Sequence, residues 1–113
     1  MKRFLISFDD GAMASIPEEE MPEVSAASRK VVADAKEAGV WIFGAGMLTQ
    51  RATVVATDGT VTEGLAPEAK PFVGGFSIIE VASREEAHRW AAAIAAACRC
   101  SQEVRELLYD PES

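Results

Sequence analysis

The chain has 113 residues, 49% of them hydrophobic and 26% charged, the proportions of one folded domain rather than a disordered or two-domain chain. Eighteen acidic against eleven basic residues give a net charge of −7, which repels phosphate backbones and anionic lipid and argues against direct nucleic-acid or membrane binding. Two cysteines, Cys98 and Cys100, make no disulfide framework, and the expectation is a soluble cytoplasmic domain.

The opening Met1-Lys2-Arg3-Phe4-Leu5-Ile6 imitates a signal peptide, but Ser7 and Asp9-Asp10 end its apolar run below the about 7–15 residues of an h-region. It reads instead as a strand over 3–8, with Phe4, Ile6 and Phe8 on one face and Leu5 on the other. Asp9-Asp10-Gly11 turns the chain. Pro17 followed by Glu18-Glu19-Glu20 reads as the acidic opening of a helix, although Pro22 allows that stretch to be a separate turn. From Met21, the positions Val24, Ser28, Val31, Ala35 and Ala38 recur at helical spacing, and Gly39 fits the left-handed position after a helix end.

Val40-Trp41-Ile42-Phe43 predicts a second strand that runs into Gly44-Ala45-Gly46. Thr53 to Thr57 and Thr60 to Thr62 flank Asp58-Gly59, a two-residue hairpin signal. A long strand follows over 72–81, with Phe76 and Ile78 on one face and Ile79 and Val81 on the other. Ser83 with Glu86 three residues later is a capping box. It opens a helix whose stripe is Ala87, Trp90, Ala91, Ile94 and Cys98. Glu103 to Tyr109 reads as the last strand.

Strand, helix, strand, hairpin, strand, helix, strand is the split βαβ pattern of an α+β ferredoxin-like domain with one extra hairpin. Helices near 21–38 and 83–97 cover one face of the antiparallel sheet. The other face needs a cover, and a second copy of the chain, face to face, is the economical one.

From Val61 the run V-T-E-G-L-A-P-E-A-K-P-F-V-G-G-F-S-I-I-E-V resembles the signature stretch of the YCII-related, DGPF-type family. The resemblance extends to Gly44-Ala45-Gly46, the Asp58-Gly59 hairpin, the capped helix with central Trp90 and the closing V-R-x-L at 104–107. It covers nearly the whole chain as a single YCII-related domain, 1–113. Where the family has Asp-Gly-Pro-Phe, this chain has Glu63-Gly64-Leu65-Ala66, so the namesake motif is degenerate. The resemblance implies a dimeric α/β-barrel type of protein, with a cleft between sheet and helices. Many members are encoded beside alternative sigma factors, which implies a regulatory context. One branch dechlorinates an aromatic ring with a His–Asp pair, which does not carry over: His88 is the sole histidine and faces away from the helix stripe.

The chemistry-bearing motifs are few. Cys98-x-Cys100 is shorter than structural zinc spacing and lacks a second ligand pair. No G-x-S-x-G, Walker loop or H-E-x-x-H occurs, and Gly44-x-Gly46 is not followed by the rest of a dinucleotide fingerprint. The expectation is no metal and no cofactor. Polar candidates cluster near loops: Asp9, Asp10 and Glu63 as acids or bases, and Arg51, Glu63, Glu68 and Lys70 as ligand-binding groups. Loss of the family's proline and aromatic predicts a loose signature loop that a ligand orders. Gly74-Gly75 has two readings, close backbone approach to a ligand or close packing beneath a helix or partner chain, and packing is the favoured one. Two functions follow. One is an accessory homodimer that binds a small molecule or a protein partner. The alternative is a cofactor-independent enzyme acting on a small cyclic or aromatic metabolite by acid–base chemistry.

Overall fold

Alternation of apolar residues makes Phe4, Ile6, Ile79 and Val81 one continuous layer, and all four are fully buried. At about 1.5–3 kcal/mol for each such side chain removed from water, this layer holds the fold together. The computed structural model describes residues 1–48, 52–63 and 73–113. Among them the elements are β1 (Lys2–Asp9), α1 (Met21–Glu37), β2 (Trp41–Gly46), β3 (Thr53–Val55), β4 (Val61–Glu63), β5 (Val73–Val81), α2 (Arg84–Cys98) and β6 (Glu103–Glu106).

β2, β5, β1 and β6 form the main sheet in that order, every neighbouring pair antiparallel. The fold is α+β and ferredoxin-like, as the order of elements predicts. Both helices pack on the face that carries Phe4 and Ile6, where Ala35, Ala87 and Ala91 allow close approach. The opposite face of the sheet has no second layer among the described residues.

Two devices define the ends of the helical layer. The capping box forms as expected: Glu86 N–H donates to Ser83 Oγ at 3.2 Å. The Glu86 carboxylate in turn accepts from Ala82 N–H at 3.1 Å, one residue earlier than the usual partner. At its far end α2 stops on Arg99, a non-glycine residue at φ +56°. The Arg99 guanidinium reaches across to Glu20 and lies 3.6 Å from Glu23, which ties this left-handed residue to the start of α1.

β3 and β4 form a separate two-stranded sheet, and all six of its residues are exposed. Its turn falls where the sequence predicts but is longer: Val55 faces Val61 and Ala56 N–H donates to Thr60 C=O at 2.8 Å, so the loop is Thr57-Asp58-Gly59 rather than Asp58-Gly59 alone. Gly59 takes φ +88°, and the Asp58 carboxylate accepts from Thr60 N–H at 2.9 Å. Hydrogen bonding from the Thr60 side chain, and then from this backbone N–H, holds the Asp58 carboxyl below the ordinary carboxylate range.

Several expectations need correction. Glu18–Glu20 is a separate 3-10 turn, with α1 starting at Met21, because Pro22 is accommodated only in the first turn of a helix. Ala38 is the exposed C-cap residue rather than part of the buried stripe. The third strand ends at Val55 and the last at Glu106. Leu107 N–H still donates to Arg3 C=O, but Leu108 and Tyr109 are exposed beyond it. Phe4 and Phe8 lie on the helix-covered face, as their alternation predicts, and the uncovered face is the opposite one. That face carries Leu5, Phe43, Phe76 and Ile78. The Phe43 and Phe76 rings are 5.9 Å apart, tilted by 49°.

Candidate functional site

The sheet separates two concavities. The first is a cleft of about 350 Å³ between the sheet and the helices. Its floor is aromatic because glycines give the rings room. A Cβ on Gly44 would lie 2.6 Å from the Trp41 indole, and one on Gly75 would lie 2.7 Å from the Phe8 ring. Both rings therefore lie against bare backbone. Gly74 lies against backbone instead of a ring, since a Cβ there would meet Asp9 C=O at 2.8 Å. The glycine pair thus serves close packing, as expected. The neighbour is β1 itself, and neither a helix nor a partner chain is required.

Over this floor, α1 contributes Ser28, Val31 and Lys36, and α2 contributes Ile94 and Cys98. Ser28 Oγ donates to Val24 C=O at 2.8 Å, which uses its one proton. In its 3.4 Å contact with Cys98 Sγ, the thiol is therefore the donor. Cys98 and Cys100 are both free and half-buried. Burial, with the Cys98 sulfur nearby, pushes the Cys100 thiol up, so Cys100 is a poor nucleophile. The Lys36 ammonium has no ion-pair partner among the described residues. No Asp, Glu or His among the described residues lines this cleft. The arrangement can hold a flat apolar body and an electronegative substituent.

The second concavity is a depression of about 560 Å³ in the uncovered face, with Leu5, Met47, Val73 and Phe76 as apolar walls. Ser7, Asp9, Glu103 and Arg105 supply its polar groups, and Arg105 donates to Glu103 at 2.7 Å.

The sequence-derived candidates do not converge. Asp9 lines the depression, Asp10 lies exposed in the following turn, and Glu63 lies exposed at the end of β4. Arg51, Glu68 and Lys70, with the signature loop over 64–72, lie outside the described residues. His88 is exposed on α2, as its helical phase predicts. The groups that sequence reasoning missed are Ser28, Lys36 and Cys98 in the cleft, and Ser7, Glu103 and Arg105 in the depression. Their meeting depends on helix packing and on strand register, for which a single sequence carries only the apolar stripes. Among the described residues, no three His, Cys, Asp or Glu side chains group as metal ligands. No helix among them is long and apolar enough to cross a membrane.

A four-stranded antiparallel sheet covered on one face by two helices, with a cleft between the layers, defines a ferredoxin-like α+β domain. The chain belongs to the YCII-related domain family, whose model matches residues 3–108. It is similar in structure to the 5-chloro-2-hydroxyhydroquinone dehydrochlorinase of Burkholderia phenoliruptrix AC1100, solved in complex with 2,5-dihydroxybenzoquinone. That similarity has a TM-score of 0.57 and 16% sequence identity, and covers 99% of this chain and 98% of the enzyme's. No curated protein matches the chain significantly.

Proposed function

We propose that this protein is a cytoplasmic homodimer that binds a small ring compound in the cleft between sheet and helices, as an accessory module rather than a catalyst. The observation that carries the reading is the composition of the cleft. Trp41 and Phe8 form an aromatic floor, Lys36 offers a cation, and among the described residues no acid or base of the right type lines it. Its ligand is a flat, mostly apolar molecule with a carbonyl or anionic oxygen that Lys36 attracts. A regulatory context, with a protein partner and without direct nucleic-acid contact, agrees with the acidic charge and with the sigma-factor link of similar sequences.

The dimer closes the uncovered sheet face. Leu5, Phe43, Phe76 and Ile78 leave an apolar surface there that a monomer would expose to water. The expected mass in solution is twice 12.1 kDa. Phe43→Glu places a charge in that surface and should give the single-chain mass. A wild type of single-chain mass at high micromolar concentration would count against the dimer.

The cleft has its own reporter, since Trp41 lines it and Trp90 does not. Binding of 2,5-dihydroxybenzoquinone should quench Trp41 emission saturably. Trp41→Phe should remove the saturable part, and Val31→Phe, which fills the cleft, should weaken binding. If no quinone, phenol or aromatic acid changes Trp41 emission or the melting temperature, the cleft is not the site.

The enzyme reading is supported by the structural neighbour, which is named for its action on a chlorinated hydroxyhydroquinone. It would use Asp9, Asp10 or Glu63 as the base, and of these Asp9 lines a concavity, on the opposite side of the sheet from the cleft. Turnover of a ring substrate that Asp9→Asn abolishes would favour it over binding alone.

A further inference from the structure

Ser7 lies in β1, between Phe76 of β5 and Glu103 of β6, and is only 6% exposed. Among the described residues its hydroxyl has no hydrogen-bond partner, while every fully inaccessible side-chain polar atom has one. The Ser7 oxygen therefore keeps its remaining access through the depression it lines. A nearly buried hydroxyl without a partner, at the base of an apolar-walled hollow, is a group prepared for a ligand atom.

We propose that this depression is a second small-molecule site, separate from the interlayer cleft, and that it takes an uncharged ring bearing hydroxyl groups. The walls Leu5, Val73, Met47 and Phe76 suit a flat apolar body. The polar rim selects against charge. Arg105 is neutralised by Glu103 at 2.7 Å, which leaves Asp9 as the excess charge among the described lining residues, in a chain of net charge −7. A carboxylate ligand meets repulsion there. A hydroxyl ligand donates to Asp9 and exchanges a hydrogen bond with Ser7, without bringing a charge out of water. Closure of the hollow rests on the dimer proposed above, because a second copy over the face would turn an open depression into a chamber. The recognition groups belong to one chain.

The two concavities have separate reporters, so failure at one is distinguishable from failure at the other. Met47 lines the depression and no methionine lines the cleft, whereas Trp41 lines the cleft. The full chain carrying ¹³C-methyl methionine is titrated with resorcinol, benzoate and benzylammonium. Resorcinol should shift the Met47 methyl saturably, bind more tightly than benzoate, and keep its affinity in the cleft-filling Val31→Phe variant. Ser7→Ala should weaken resorcinol about five- to tenfold, the worth of one hydrogen bond, and Ser7→Thr, which keeps the hydroxyl, should lose less. Three results would overturn the proposal: an unmoved Met47 methyl, equal affinity in wild type and Ser7→Ala, or benzoate binding at least as well as resorcinol. An unmoved Met47 with quenched Trp41 would leave the cleft standing and remove this site alone.

Discussion

Replacing Gly74 or Gly75 by alanine adds one methyl group to adjacent residues of the same strand, yet the two should differ sharply. A Cβ at Gly75 would sit 2.7 and 2.8 Å from two carbons of the Phe8 ring, with Ala45 C=O at 3.3 Å. The ring is half-buried and borders the cleft, so it can swing away at the cost of a poorer rotamer. A Cβ at Gly74 would sit 2.8 Å from Asp9 C=O and 3.0 Å from Asp10 Cα, backbone atoms held where β5 bulges against β1, with one Phe8 ring carbon also at 3.0 Å. Overpacking of this kind costs about 1–3 kcal/mol. We place Gly75→Ala near the lower end and Gly74→Ala at or above the upper end. Urea unfolding at neutral pH reads the difference, and a double-mutant cycle with Phe8→Ala separates the causes. Removing the ring should abolish most of the Gly75→Ala cost and leave most of the Gly74→Ala cost. Equal costs for the two alanines, or a Gly75→Ala cost that persists without the ring, would refute the reasoning. Gly75→Ala should also weaken ligand quenching of Trp41, because the displaced ring enters the cleft.

Arg99 carries two opposed effects. Arg99→Gly relieves a left-handed non-glycine residue, worth about 1 kcal/mol, and loses an exposed ion pair worth about 0–1 kcal/mol. Arg99→Ala loses the pair without the relief, so the glycine variant should unfold at higher urea than the alanine variant. For Asp58 the folded pKa is lowered, so the carboxylate's support of its turn is fully present above the ordinary carboxylate pKa. That support is lost as pH falls through the lowered value, and the Thr60 amide resonance should report this at a pH below the ordinary midpoint. A Thr60 amide shift with the ordinary carboxylate midpoint would contradict the hydrogen bond. Cys100, with its thiol pushed up by burial, should alkylate more slowly at pH 8 than an unstructured cysteine, and urea should remove the difference.

Local chemistry was legible in the sequence wherever partners lie a few residues apart. Ser83 with Glu86 and the alternation of Phe4 with Ile6 each name their own structure, while Asp58 with Gly59 marks the place of a turn but not its length. The family motifs carry the order of strands. The candidate site was far less legible. Ser7 meets Glu103 through the register of β1 with β6, across 96 positions of sequence. Ser28 meets Cys98 through the crossing of two helices, and nothing in either helix's own periodicity names the other. Candidate acids were sought at loops and strand ends, and Asp10 lies in a turn while Glu63 ends β4. The described concavities are instead walled mainly by strands and helix faces.

β1 also has a bearing on how this protein can change. Its adjacent residues serve opposite compartments: Phe8 faces the cleft, whereas Ser7 and Asp9 face the depression. One strand therefore writes two addresses in alternate letters, and substitutions at odd and even positions act on different surfaces. The same interleaving makes the strand intolerant of insertion or deletion. A one-residue slip would exchange the two sets, placing Ser7 among the core side chains and Ile6 in the open hollow. The extra residue that β5 accommodates at Gly74, opposite the Phe8–Asp9 step, marks the place where that frame is fixed. Sequence drift in such a chain is free along each face and locked between them.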